Sequence, residues 1–140
     1  KEEECAMKQS LSILLDNLIS KGLTNQNISK IQELSEEDKC LLLEKTMDID
    51  LKDNEALLFL LFHDESPIVR RCVAFFLRYY LSEETLNILN QKLKEEVYEK
   101  VVIEIVFSLA WIQKMLNAFT KGCESAFHLN QFLNLYPMKD

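Results

Sequence analysis

Glycine and proline are almost absent from this chain, whose 140 residues contain only two of each. β-Sheets need a turn about every 8–12 residues, and those turns draw heavily on Gly, Pro and Asn-Gly pairs. So few of these residues favour long helices joined by polar connections. Because a chain of this length can bury a core of its own, the sequence predicts a single all-α domain over residues 1–140, with about seven or eight helices.

Capping residues bound the expected helices. A hydroxyl or carboxylate that precedes a helix can accept a hydrogen bond from an early backbone N–H, and four residues are placed to do so: Ser35, Asp53, Ser66 and Ser82. Gly22 is expected to end the first helix. With apolar residues at 3–4 spacing, these signals predict helices over 3–21, 26–34, 36–47, 54–62, 67–81, 83–94, 97–112 and 123–135. The seventh either continues to Lys121 or breaks near Gln113.

Charge and cysteine usage bear on partners and compartment. The net charge of −7 gives a negative field that opposes binding to phosphate backbones, so the composition disfavours nucleic acid as a partner. The chain contains no C-x-x-C pair, and its four cysteines are far apart: Cys5, Cys40, Cys72 and Cys123. Isolated thiols of this kind predict a cytoplasmic or other reducing intracellular compartment.

Neither a membrane span nor a secretory signal is predicted. The longest apolar stretch, VVIEIVFSLAWI, covers about half of a bilayer span and contains Glu104. The first residues, KEEECAMK, lack the apolar core of a signal peptide. We therefore expect no membrane partner.

Apolar positions recur when the chain is shifted by 32 residues. The turn carboxylate Asp64 then aligns with Glu96, and five apolar positions also align: Leu57 with Leu89, Leu61 with Leu93, Val69 with Val101, Val73 with Ile105 and Leu77 with Leu109. Such a period is typical of stacked helix pairs.

The stretch LLFLLFHDESPIVRRCVAFFLR, residues 57–78, resembles a HEAT repeat. It combines an apolar helix, an Asp-containing turn with proline, and a second helix that opens with Val-Arg. A more divergent copy follows over 82–112, after a first repeat over 54–81; residues 1–50 are expected to hold N-terminal helices or a degenerate repeat, and residues 113–140 the C-terminal helices. The resemblance implies a short right-handed α-solenoid of stacked antiparallel helix pairs. Such arrays are mostly non-enzymatic scaffolds or adaptors that bind another protein through a concave face. The chain can also be part of a longer array.

The resemblance also implies roles for two charged residues of the quoted turn. In HEAT arrays the turn aspartate commonly pairs with an arginine six residues later, or with one in the adjacent repeat. Asp64 and Arg70 match this spacing. We therefore interpret them as a structural turn pair, since a partly buried charge needs such a partner.

Motifs for catalysis or metal binding are weak. His63, Asp64 and Glu65 offer metal-ligating atoms, but they form one isolated cluster, and a Cys123–His128 pair has too few ligands for zinc. The sequence has no Gly-x-Ser-x-Gly elbow and no glycine-rich phosphate loop. We therefore predict no metal, no cofactor and no catalytic residue.

A candidate binding surface follows from helical periodicity. At about 100° per residue, Arg71, Phe75 and Arg78 fall within one narrow wedge, opposite the expected core face of their helix. Adding Tyr79 and the positions one repeat later gives the predicted partner-binding residues: Arg71, Phe75, Arg78, Tyr79, Phe107 and Trp111. Arginine pairs with carboxylates and stacks on rings, so the expected partner is an acidic or aromatic peptide or protein.

Alternatives to this interpretation are open at the level of sequence. The C-terminal helix, or a missing neighbouring repeat, would cover the patch formed by Ile103, Phe107 and Trp111. A second alternative is a nucleic-acid enzyme that resembles the HEAT-like alkylpurine DNA glycosylases. In that case Trp111 would stack on a base and Asp64 would act as the catalytic carboxylate. A HEAT-like lyase or hydroxylase subunit is a third possibility.

Overall fold

The computed structural model describes residues 2–122, which form seven α-helices and no strand. The all-α prediction is therefore confirmed for this part of the chain. The helices run as follows: α1 Glu2–Lys21, α2 Asn25–Gln32, α3 Glu36–Asp48, α4 Asn54–Leu61, α5 Pro67–Leu77, α6 Glu83–Glu95 and α7 Glu99–Gly122. The helix expected over 123–135 lies outside the described residues.

Serine and threonine hydroxyls start several of these helices. The Ser35 Oγ accepts a hydrogen bond from the Asp38 N–H at 3.2 Å, and the Ser82 Oγ accepts one from the Thr85 N–H at 3.1 Å. Each satisfies a backbone donor that has no partner within its helix. Asp53 occupies the predicted position before α4, but its side chain makes no capping hydrogen bond.

Gly22 ends α1 as predicted. Its backbone φ is +75°, in the left-handed region that glycine enters without the steric penalty of a Cβ. Its N–H donates to the Leu18 carbonyl at 2.9 Å. Its own carbonyl accepts from the buried Asn27 side chain at 2.8 Å, so the turn is tied to α2.

The end of α5 differs from the prediction, whereas the end of α7 follows one of the two predicted alternatives. Helix α5 ends at Leu77, not at residue 81, and the next three N–H groups, those of residues 78–80, donate to carbonyls three residues earlier. This tighter pattern closes the helix without a glycine. Helix α7 instead continues without a break through Gln113 to Gly122, because no residue between them interrupts the backbone ladder.

The chain divides into two compact units, residues 1–73 and 74–140, with the division falling inside α5. In the first unit, α1 packs against α2 and α3, and α3 packs against α4. Its fully buried apolar side chains come from several helices and include Leu18, Ile31, Leu42, Leu43, Leu57, Leu58, Leu61, Phe62, Val69 and Val73.

In the second unit, α6 packs against α7 across the three-residue connection 96–98. One stripe of α7 is buried at 3–4 spacing: Val101, Ile105, Ser108, Ile112 and Met115. The opposite stripe is exposed. It is apolar in the first half of the helix and polar in the second.

Helix α7 is also long and apolar enough to cross a membrane by length and composition alone over residues 99–120. The core helix of a soluble protein passes the same test. Its apolarity has two sources, the buried stripe and a set of exposed residues.

Candidate functional site

The turn between α4 and α5 is held by an ion pair with α3. The Lys39 Nζ lies 2.6 Å from the Asp64 Oδ1, and both side chains are only 11% exposed. The Asp64 Oδ2 accepts a further hydrogen bond from the Ser66 N–H at 3.0 Å. Both oxygens of the carboxylate therefore have partners within the protein, which is typical of a buried polar group with a structural role.

The Arg70 side chain contacts backbone carbonyls of the same turn. It is 9% exposed, and its Nη1 donates to the carbonyls of Asp64 at 2.8 Å and Glu65 at 2.9 Å. Asp64 and Arg70, the two residues of the predicted turn pair, are therefore in contact. The arginine, however, bonds to the Asp64 carbonyl, while Lys39 supplies a cation to the carboxylate.

Ser66 joins the start of α5 to α3. Its Oγ accepts from the Val69 N–H at 3.4 Å, which is the predicted cap. The same hydroxyl donates to the Glu36 Oε2 at 2.6 Å. Sequence inspection missed Glu36 and Lys39, because both lie on a helix far earlier in the chain.

A shallow groove of about 570 Å³ lies over this turn, lined by Gln32, Glu36, Lys39, Leu60, Leu61, His63, Asp64, Glu65 and Ser66. Its central charges are engaged with one another by the contacts above. Within residues 2–122, no three His, Cys, Asp or Glu side chains are grouped so that they could hold a metal ion. Cys123 and His128 lie outside the described residues.

In the second unit, Arg78 connects the end of α5 to α7. Its Nε donates to the Ser108 Oγ at 3.1 Å, and its Nη2 forms an ion pair with the Glu104 carboxylate. Its guanidinium also lies over the Phe75 ring, 4.4 Å from the centroid. These contacts hold the Arg78 guanidinium within the protein, whereas the sequence predicted that it would pair with a carboxylate of a binding partner.

Ser108 joins α7 to α5. It is fully buried, and its Oγ donates to the Ala74 carbonyl at 2.5 Å. Ala74 is itself fully buried. A small residue on each helix allows this backbone contact.

Three aromatic rings form a cluster near Arg78. The Phe75 ring meets the Phe76 ring at a centroid distance of 5.4 Å and the Tyr79 ring at 5.9 Å, both edge to face. All three are half-buried. Such ring pairs are favourable beyond the area that they bury.

Three exposed apolar residues of α7 lie beside these contacts. Ile103 is 45% exposed, Val106 49% and Phe107 61%. Phe107 is three residues after Glu104, and the half-buried Trp111 follows it by one further turn, so both flank the Arg78–Glu104 pair on the helix surface.

The six predicted partner-binding residues are thus distributed over both units. Phe75, Arg78, Tyr79, Phe107 and Trp111 belong to the second unit, whereas the exposed Arg71 belongs to the first. Sequence inspection missed Glu104 as the partner of Arg78. The signal was present, because Glu104 is the single carboxylate in an apolar run.

Comparison of this chain with protein-family models, with curated proteins and with solved structures gave no match.

Proposed function

We propose that this chain is a non-enzymatic protein-interaction module of the HEAT-like type. The resemblance of residues 54–112 to a repeat, and the packing of α6 against α7 across a short connection, support this architecture. Arrays of helix pairs use exposed helix faces to bind other proteins.

The observation that carries the proposal is the exposed apolar stripe of α7. We name Ile103, Val106 and Phe107 the α7 stripe. Three large apolar side chains within two helical turns, each at least 45% exposed, form the kind of contiguous patch that marks interaction surfaces. Phe75, Tyr79 and Trp111 place half-buried aromatic rings in the same unit, and aromatic residues are enriched in the centres of protein interfaces.

The charge around the stripe favours one partner chemistry. Lys100 and Lys114 are exposed on the same side of α7 as Phe107, about 21 Å apart along the helix axis. In a chain of net charge −7, these two lysines place positive charges at both ends of the stripe, where the exposed Glu99 is the adjacent carboxylate. The partner that fits is an amphipathic helix whose apolar face is flanked by carboxylates.

Two synthetic peptides test this proposal. Both present the same Leu- and Phe-containing apolar face on a helix of about 20 residues, flanked by Glu in one and by Lys in the other. We expect the Glu-flanked peptide to bind in fluorescence anisotropy titrations and the Lys-flanked peptide to bind at least about tenfold more weakly. Absence of binding by both peptides would overturn the proposal.

A pair of matched variants locates the binding surface. Phe107→Asp places a charge in the centre of the stripe and should weaken binding of the Glu-flanked peptide about tenfold or more. Val97→Asp introduces the same charge in the same unit, at a residue that is 82% exposed and outside α7, and should leave binding unchanged. Equal loss in both variants would remove the assignment to α7.

Two further measurements address other occupants of the stripe. Analytical ultracentrifugation of the unmodified chain tests for self-association; a dimer that Phe107→Asp converts to a monomer would assign the stripe to a second copy. Co-sedimentation with phosphatidylcholine vesicles tests for a bilayer. Partitioning that Phe107→Asp abolishes would assign the stripe to lipid and overturn the proposed protein partner.

A further inference from the structure

Two cysteines that are far apart in sequence meet in the first unit. The Sγ atoms of Cys40 on α3 and Cys72 on α5 lie 2.9 Å apart. A disulfide has an S–S distance of about 2.05 Å, so the two sulfurs need to approach by only about 0.9 Å more. Both residues are half-buried, so a small thiol reagent has access to them.

Contacts around the two cysteines keep their sulfur atoms close together. The Cys40 Sγ also lies 3.9 Å from the Ile68 carbonyl, one helical turn before Cys72. On the other side, α3 is fastened to the α4–α5 turn by the Lys39–Asp64 ion pair and the Glu36–Ser66 hydrogen bond. Neighbouring residues of both helices therefore keep the two sulfurs adjacent.

The geometry points to Cys40 and Cys72 as an oxidisable dithiol that forms an intramolecular disulfide with a small-molecule disulfide such as oxidised glutathione. The thiolate of one cysteine attacks a glutathione sulfur and releases one glutathione thiolate. The second cysteine thiolate then attacks the mixed disulfide at the protein sulfur and releases the second glutathione thiolate. Two electrons pass from the protein thiols to the glutathione disulfide, and the two thiol protons go to the released glutathione thiolates or to solvent.

The environment of Cys40 affects its reactivity. Its hydrogen bond with Cys72 raises the pKa of the Cys40 thiol, and burial raises it further, as does the negative charge of a Cys72 thiolate, Glu36 and Glu44. Because the thiolate is the nucleophile, a raised thiol pKa lowers the fraction of Cys40 that can react at neutral pH. The reaction is reversible, so it is compatible with the reducing compartment that the sequence predicts.

Tryptic mapping of the full chain tests the proposal. Trypsin cleaves after Lys39 and Arg71, which places the two cysteines in separate peptides, CLLLEK at 40–45 and CVAFFLR at 72–78. After incubation of the folded protein with oxidised glutathione and alkylation of remaining thiols, we expect these two peptides to be joined by a disulfide. Dithiothreitol should separate them. Oxidation should also raise the apparent Tm by several degrees, because the crosslink constrains the unfolded chain.

Controls distinguish this pair from general thiol reactivity. In urea, where the geometry is lost, the same treatment should scatter disulfides among all four cysteines. In Cys40→Ser and in Cys72→Ser, the remaining cysteine should keep glutathione as a mixed disulfide, because the thiol that would displace it is absent. The proposal is overturned if folded protein keeps glutathione on both cysteines, or if either one pairs with Cys5 or Cys123 as readily as in urea.

Discussion

The ammonium of Lys39 and the carboxylate of Asp64 lie 2.6 Å apart, although 25 residues separate them in the chain. The pair ties α3 to the turn that starts α5. Because both side chains are 11% exposed, removing either charge leaves the other in a site with little access to water.

We expect Lys39→Met to destabilise the protein by about 2–4 kcal/mol, because the Asp64 carboxylate then stays largely buried without this cation. Asp64→Asn should cost less than Lys39→Met in the same background, since a lysine side chain can extend toward solvent. Urea unfolding followed by circular dichroism measures both. The double variant should be more stable than the sum of the single losses predicts; strict additivity would contradict the coupling.

Arg78 and Glu104 form the corresponding pair in the second unit. Arg78→Glu places two carboxylates side by side and should destabilise the protein by about 2–3 kcal/mol. Adding Glu104→Arg reverses the pair and should restore more than half of that loss, as measured by urea unfolding. If the reversed pair were no more stable than Arg78→Glu alone, the ion pair would not be the reason for the loss. Arg78 is accordingly a poor residue for testing partner binding.

Gly22→Ala should destabilise the protein by about 1–2 kcal/mol. The substitution forces a Cβ into a backbone with a φ of +75° and places that atom 3.3 Å from the Asp53 Oδ2. Gly22→Asn should cost less than Gly22→Ala, because asparagine tolerates the left-handed region better. Thermal unfolding distinguishes the two. Equal losses would indicate that crowding against Asp53, not φ, sets the cost.

The raised pKa of the Cys40 thiol predicts a dependence of stability on alkaline pH. Above about pH 8.5 the unfolded chain releases this proton while the folded chain keeps it. The unfolded state then binds fewer protons than the folded state, so the free energy of unfolding falls as pH rises. Urea unfolding of reduced protein from pH 7.5 to 10 should show a steeper fall than Cys40→Ser. Parallel curves would contradict this assignment.

Local signals in the sequence predicted the helices well. Apolar spacing and serine caps placed α1, α3 and α6 to within one or two residues, since caps and periodicity depend on neighbours within one turn. The end of α5 was wrong because residues 78–81 continue the apolar pattern, and nothing local marks the change to tighter hydrogen bonds. The solenoid arrangement stays a prediction.

The contacts of charged and small residues were harder to predict. Asp64 contacts Arg70, six residues away, through its carbonyl, but Lys39, which pairs with its carboxylate, lies on a separate helix. Ser108 and Ala74 meet 34 residues apart, and a helical wheel of α5 alone cannot show which small residue faces a neighbour. Cys40 and Cys72 belong to the same class, because the sequence alone shows them only as isolated thiols that are far apart in the chain.

The sequence by itself determined that this chain is helical, where most of its helices begin, and which apolar stripes each helix must bury, because these properties depend on residues within a few positions of one another. Only the tertiary structure decided that Arg78 is bound to Glu104, that Lys39 is paired with Asp64 and that two thiols are adjacent. Those contacts depend on how helices 25 or more residues apart approach, and side-chain pairing follows distance in space. The exposed stripe of α7 combines both levels: the sequence places apolar residues around the helix, and packing selects those that stay in contact with solvent.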